Sequence, residues 1–217
     1  MLLVFDFDGT LVDSLHDLAE AASDLSEQYG GRRLDDAAVS LMIGDGAGIL
    51  VERTLATVGV HSPPPGALDR FLEIYDRRML DHTAPYAGMV DTLGTLAPAH
   101  TLALLTNKPE APSRRIMAHT GLDRYFSTGV FGDGTLPRKP DPAGLRWLMN
   151  RNGVQADGTL LIGDSNVDLE TARAAGVRLA VASYGFGFAR IDPAALRDTD
   201  LMLRQPVDLL TLIPGME

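Results

Sequence analysis

The sequence predicts an α/β protein in which a parallel sheet carries helices on both faces and accommodates an inserted all-α bundle. Three observations lead there. From residue 86 onward, short apolar runs bounded by turn residues alternate with segments of helical periodicity, the pattern of parallel strands joined by crossover helices. A further apolar run, Leu2 to Phe5, stands by itself at the start of the chain. Between the two, about seventy residues show only helical spacing, which is too long for an ordinary connection and predicts a separately packed unit.

The opening strand ends in Asp6-Phe7-Asp8-Gly9-Thr10. Leu15, Leu18, Ala22, Leu25 and Tyr29 then recur at helical spacing, with Ser14 as N-cap and Gly30-Gly31 as stop. A short helical stretch covers Asp35 to Leu41, and Gly44-Asp45-Gly46-Ala47-Gly48 opens a helix bearing Leu50, Val51, Leu55 and Val58. Pro63-Pro64-Pro65 breaks the chain before a helix with Leu68, Phe71, Leu72, Tyr75 and Met79 on one face, which ends ahead of Pro85. Helices with single apolar faces bury them against each other, so residues 15–85 are expected to form a small antiparallel bundle, and 1–14 with 86–217 the α/β unit.

In the second part, Met89 to Leu96 reads as a helix, Thr101 to Leu105 as a buried strand and Ala111 to Thr120 as a helix. Thr128 to Phe131 is a short strand, and Leu145, Trp147 and Leu148 mark the next helix. Thr159 to Ile162 is a strand, Leu169 to Ala175 a helix stopped by Gly176, and Val177 to Ala182 a strand entering the glycine-rich loop Tyr184 to Phe188. A short strand near Leu201 and a helix through Leu212 complete the alternation.

A hydrophobic fraction of 45% and a mean hydropathy of +0.03 belong to globular rather than disordered or membrane-spanning chains. Met1 leads into an apolar run that reaches Asp6 too soon for a secretory leader, so the expected location is cytoplasmic. The absence of cysteine removes thiolate metal sites and thiol nucleophiles, so any metal is held by oxygen or histidine. A net charge of -10 argues against binding to nucleic acid or anionic membrane, and a phosphorylated ligand would need local cations. The only lysines are Lys108 and Lys139, and both stand in motif positions, whereas His16, His61, His82, His100 and His119 are scattered and expected at the surface.

Ligands of open parallel sheets bind outside the carboxyl ends of the strands. Asp6, Asp8, Thr106 and Asp164 lie where strands finish and Lys139 lies on a loop entering a helix, so they are expected on one edge. Flanking Phe7 on an extended strand, Asp6 and Asp8 would share a face, and Gly9-Thr10 would let backbone amides approach the same space. Two carboxylates so close repel unless a cation or a shared proton compensates, and a divalent metal is the simplest remedy.

Asp6-Phe7-Asp8-Gly9-Thr10, Leu104-Leu105-Thr106-Asn107, Arg138-Lys139-Pro140-Asp141-Pro142 and Gly163-Asp164-Ser165-Asn166-Val167-Asp168 together resemble, in order, the four motifs of the haloacid dehalogenase (HAD) superfamily. The resemblance covers nearly the whole chain. Within it, Asp6 to Ser14, Ile43 to Ala47 with Val51-Glu52-Arg53, and Pro85 to Gly88 look like phosphoglycolate phosphatases. It implies a Rossmann-like core, a helical cap acting as a lid, and hydrolysis of a small phosphate monoester through an aspartyl-phosphate. In that reading Asp6 is the nucleophile and Asp8 the general acid and base. Thr106 and Lys139 stabilise the transferring phosphoryl group, and Asp6, the Asp8 backbone carbonyl and Asp164 hold Mg²⁺, with Ser165 and Asp168 supporting them.

Gly9, Thr10, Asn107, Gly44, Asp45 and Arg53 are the candidate substrate contacts, the cap loop acting as selector. Asp45 replaces an uncharged polar residue common in that family, and Arg53 is the cation placed to offset it. The loop lacks the Gly-Lys-Ser/Thr ending of a nucleotide P-loop. A dehalogenase would not need Asp8, and a phosphonatase would need a cap lysine, which this chain lacks. A sugar-phosphate mutase similar to β-phosphoglucomutase shares every core motif and stays open as the alternative, while a non-catalytic phosphate-binding regulator is disfavoured by the complete motif set. A monomer or a homodimer is compatible with the sequence.

Overall fold

In the computed structural model, which describes residues 1–213, β1 (Leu2–Phe5) occupies the interior of a six-stranded sheet. Its neighbours are β4 (Thr101–Leu105) and β6 (Thr159–Gly163), both parallel to it, with Phe5 in register with Leu104 and Ile162. Beyond β4 lies β5 (Thr128–Val130), and beyond β6 lie β7 (Arg178–Ala182) and β8 (Leu201–Leu203), giving the order β5-β4-β1-β6-β7-β8. The last four residues of the expected α/β segment lie outside the described part.

The apolar runs form strands because both faces of the sheet are covered. Leu3 and Phe5 enter one hydrophobic cluster and Leu2 and Val4 the other, the two-residue alternation of a pleated strand. All four side chains are fully buried, each worth about 1.5–3 kcal/mol relative to exposure. The helices α5 (Met89–Leu96), α6 (Glu110–Thr120), α7 (Ala143–Asn152), α8 (Asn166–Ala175) and the short α9 (Leu209–Leu212) surround it. The predicted ends of these helices and strands differ from the observed ones mostly by one to three residues.

Four helices, α1 (Leu15–Gln28), α2 (Asp36–Ser40), α3 (Ala47–Ala56) and α4 (Ala67–Arg78), follow β1 before the sheet resumes. Helix α1 contacts the other three, and α3 contacts α4. Their apolar faces are not a closed core of their own. Leu18, Leu25, Leu50, Leu55, Phe71 and Ile74 belong to the same cluster as Phe5, Phe7 and Leu11, so the helical unit is packed onto one end of the sheet.

Two details depart from expectation. The segment is entered and left through a short antiparallel pair, β2 (Val12–Asp13) with β3 (Ala84–Pro85), too brief to leave a period in the sequence. Ser14 occupies the N-cap position of α1 but makes no capping hydrogen bond; its hydroxyl donates to Asp8 at 2.6 Å, and Asp13 accepts from the Leu15 amide instead. Four of the five histidines are exposed and His100 is half-buried.

Candidate active site

Strand β1 stops at Phe5, so Asp6 and Asp8 project from a loop rather than from an extended strand as expected. The Asp6 amide still donates to Ile162 at 2.8 Å, continuing the ladder by one bond. Phe7 is fully buried, and its carbonyl accepts from the amides of Leu11 and Val12 at 2.9 and 3.2 Å, which anchors the turn. Gly9 adopts φ 85°, and a Cβ there would overlap the Asp164 carboxylate, so the turn requires glycine twice over.

Because the strands are parallel, the segments leaving β1, β4 and β6 reach the same edge of the sheet. Lys139, between β5 and α7, places its ammonium 2.8 Å from Asp6 Oδ1 and 2.6 Å from Asp168 Oδ1. Its main chain is fixed by Asn107, whose side chain accepts from the Lys139 amide and donates to its carbonyl, both at 2.9 Å. Asp168 Oδ2 accepts from the Ser165 amide and hydroxyl, so the pair caps α8 and at the same time orients the carboxylate toward Lys139. Asp164 accepts from the Gly187 amide at 2.7 Å and from the Thr10 hydroxyl at 3.3 Å.

Asp6, Asp164 and Asp168 each bring a carboxylate oxygen within 4.8 Å of the others. Burial, then the neighbouring Asp168, pushes the Asp6 carboxyl up to about 7 even though Lys139 opposes the rise. Asp164 is held well above the ordinary carboxylate range by burial first and then by Asp168 and Asp6. Burial acts against the Lys139 ammonium, but Asp168 and Asp6 outweigh it and raise it above the usual lysine range. Three buried carboxylates facing one ammonium leave uncompensated negative charge among hard oxygen donors, the environment that suits Mg²⁺. Both Asp168 oxygens serve Lys139 and Ser165, and both Asp164 oxygens accept from Thr10 and Gly187, whereas Lys139 engages Asp6 through Oδ1.

The second carboxylate of the opening motif has a different environment. Both oxygens of Asp8 accept from Lys108, at 2.9 and 3.0 Å, and Lys108 also donates to the Tyr75 hydroxyl of α4 at 2.8 Å. Burial opposes the Lys108 charge, yet Asp8 and Tyr75 together hold it above the ordinary range. The Asp8 side chain stays outside the three-carboxylate cluster. Neither Lys108 nor Tyr75 carries a role in the sequence reading: Tyr75 belongs to an apolar helix face, and Lys108 stands out only as one of two lysines, both in motif positions.

Asp6, Asp8, Thr106, Asn107, Lys108 and Tyr75 line one cavity of about 60 Å³, to which Ile43, Gly44 and Gly46 of the helical unit also contribute. Thr106 accepts from the Lys108 amide at 3.1 Å, which leaves its own proton to donate. Gly46 has φ 95°, and a Cβ there would press on the Asn107 carbonyl and Arg138. Four expected ligand contacts lie elsewhere, and the first, Gly9, is packed against the Asp164 carboxylate outside the cavity wall. Thr10 is buried against Asp164 and does not form cavity wall. Asp45 and Arg53 pair with each other at 2.7 Å, and Arg53 donates to the Met42 carbonyl, so neither reaches the cavity. Arg190, which sequence reasoning missed, lines the cavity and donates to the carbonyls of Leu41 and Ile43.

A family model described as haloacid dehalogenase-like hydrolase matches residues 3–182. The phosphoglycolate phosphatase of Rhodospirillum rubrum is 41% identical over 192 residues, covering 85% of this chain and 80% of that protein. That of Pseudomonas syringae pv. tomato is 37% identical over 219 residues, covering 99% of this chain and 79% of its own. A crystal structure described as a predicted phosphoglycolate phosphatase from Haemophilus somnus 129PT superposes with a TM-score of 0.87 at 26% identity, covering 97% of this chain and 96% of that one.

Proposed function

The chain belongs to the haloacid dehalogenase-like hydrolase family, and we propose that it is a Mg²⁺-dependent phosphatase acting on a small phosphate monoester of the phosphoglycolate type. Residues 1–14 and 86–217 are the catalytic core in this reading, and 15–85 the cap. One observation carries it: Asp6 is clamped by buried Lys139 at 2.8 Å while Asp8, two residues on, opens into the same cavity.

Asp6 Oδ1 is engaged by Lys139, so Oδ2 is the oxygen that attacks phosphorus. The bond from phosphorus to the ester oxygen breaks, and Asp8 delivers a proton to the departing alcohol. Asp8 then takes a proton from the water that attacks the aspartyl-phosphate, which releases phosphate and restores Asp6. Lys139 and the Thr106 hydroxyl face the charge that develops on the nonbridging oxygens. Asp6, Asp164 and the Asp8 backbone carbonyl would hold Mg²⁺, whose charge neutralises the phosphate and offsets the repulsion among the buried carboxylates.

The size of the cavity supports a small substrate. Its volume is about 60 Å³, room for a few waters. Release of phosphate from phosphoglycolate and from an aryl phosphate, measured with Mg²⁺ and with a chelator, tests the assignment. Turnover is expected only with Mg²⁺ and is expected to vanish in Asp6→Asn; persistence in that variant rules out Asp6 as nucleophile.

A further inference from the structure

We propose that Lys108 and Tyr75 together read a second anionic group on the substrate and are specificity-determining residues of this site. The inference rests on the reading of the cavity as a phosphate ester site. Lys108 is a buried ammonium, its side chain 5% exposed, on the cavity wall beside Asp8. Its three N–H donors are directed at Asp8 Oδ1, Asp8 Oδ2 and the Tyr75 oxygen. Burial raises the Tyr75 hydroxyl to about 12, so it keeps its proton. That hydroxyl accepts from Lys108, and among the described residues its own proton has no acceptor. A cation beside an unspent hydroxyl donor, both facing a cavity, is the equipment of an anion site.

Position decides which anion it meets. Asp8 must contact the ester oxygen that leaves, and Lys108 is bonded to Asp8, so the first atoms beyond that oxygen pass Lys108. A carboxylate one carbon away can draw Lys108 and the Tyr75 proton onto itself, which frees the Asp8 oxygens for the ester; a neutral tail leaves Lys108 where it is. The other cations nearby hold groups other than Asp8. Lys139 is tied to Asp6 and Asp168, Arg53 to Asp45, and the Nη atoms of Arg190 to the Leu41 and Ile43 carbonyls. Because Tyr75 comes from the helical unit and Lys108 from the sheet, the anion is read by both parts together.

Binding of phosphoglycolate and of 2-hydroxyethyl phosphate, a neutral-tailed counterpart, is measured by calorimetry with Mg²⁺ in the Asp6→Asn protein. Phosphoglycolate is expected to bind at least about tenfold tighter, the equivalent of about 1.4 kcal/mol. Adding Lys108→Met is expected to bring the ratio to within about twofold, and adding Tyr75→Phe to lower it by about threefold or more. A ratio unchanged by Lys108→Met overturns the proposal. If Lys108→Met does not fold, Tyr75→Phe carries the test, and an unchanged ratio there overturns it equally. Phosphate release by the unsubstituted protein is measured separately. Absence of turnover combined with a Lys108-dependent ratio would overturn the phosphatase reading and support the anion site.

Discussion

Arg190 Nη2 donates to the Ile43 carbonyl at 2.6 Å, joining the loop after β7 to the loop that precedes α3. Its Nη1 holds the Leu41 carbonyl at 3.0 Å, and Asn107 Nδ2 holds that of Gly44, also at 3.0 Å. The sheet side therefore grips the edge of the helical unit by main-chain oxygens, which are present whatever the side chains at 41–44. The grip holds Ile43 and Gly44 in the cavity wall.

Arg190→Ala removes two charge-assisted hydrogen bonds, each worth about 1.5–3 kcal/mol. Amide hydrogen exchange at residues 43–47 is expected to accelerate at least about tenfold, with a rise in KM and little change in exchange on β1 and β6. Exchange at 43–47 indistinguishable from the unsubstituted protein would show that the contact does not hold the loop.

Lys139→Ala leaves three buried carboxylates facing one another. Breaking a buried pair from one side costs about 3–5 kcal/mol, so denaturant unfolding in chelator at pH 8 should show a loss of that order, together with loss of turnover. Lys139→Arg is not expected to restore activity, because a planar guanidinium does not fit where a compact ammonium touches both Asp6 and Asp168.

Without a divalent cation, the carboxylate cluster makes stability fall as pH rises. Asp6 titrates near 7 in the folded protein against 3.8 as its ordinary value, and Asp164 is shifted the same way. Between those values the folded state binds more protons than the unfolded chain, so each pH increment favours unfolding, and the effect ends once pH passes the folded value. Thermal melts in chelator are expected to fall between pH 5 and pH 8 relative to melts with Mg²⁺. An Mg²⁺ increment that does not grow with pH would argue against metal binding at this cluster.

Gly9→Ala combines a positive φ with overlap of the Asp164 carboxylate. It is expected to destabilise the fold and to weaken Mg²⁺ binding, measured by calorimetry, by more than tenfold (about 1.4 kcal/mol). Unaltered Mg²⁺ affinity would exclude Asp164 as a ligand.

Ser14→Ala separates capping from chemistry. No capping hydrogen bond is lost, so unfolding free energy should change by less than about 1 kcal/mol, whereas Asp13→Ala, which removes the acceptor of the Leu15 amide, should cost about 1 kcal/mol. Since the Ser14 hydroxyl bonds Asp8 at 2.6 Å, kcat is expected to fall in Ser14→Ala with stability retained. A variant with full kcat would remove Ser14 from the site.

The sequence by itself determined the alternation of strands and helices, the all-α insertion and the placement of Asp6, Asp8, Thr106, Lys139 and Asp164 near one sheet edge. It could do so because burial on a strand or helix leaves a local period of apolar residues, and because parallel strands bring their carboxyl ends to one side. Tertiary structure alone decided that Lys108 meets Asp8 and Tyr75, that Arg190 reaches the Ile43 carbonyl, and that Asp45 and Arg53 turn toward each other instead of into the cavity. The contacts of Lys108 and Arg190 join residues far apart in the chain and depend on how the helical unit leans on the sheet, and the Asp45–Arg53 pair depends on how the loop before α3 folds back on that helix. Residue 75 has the same helical pattern whether its hydroxyl faces solvent or an ammonium, and only the placement of α4 beside the loop that follows β4 distinguishes the two.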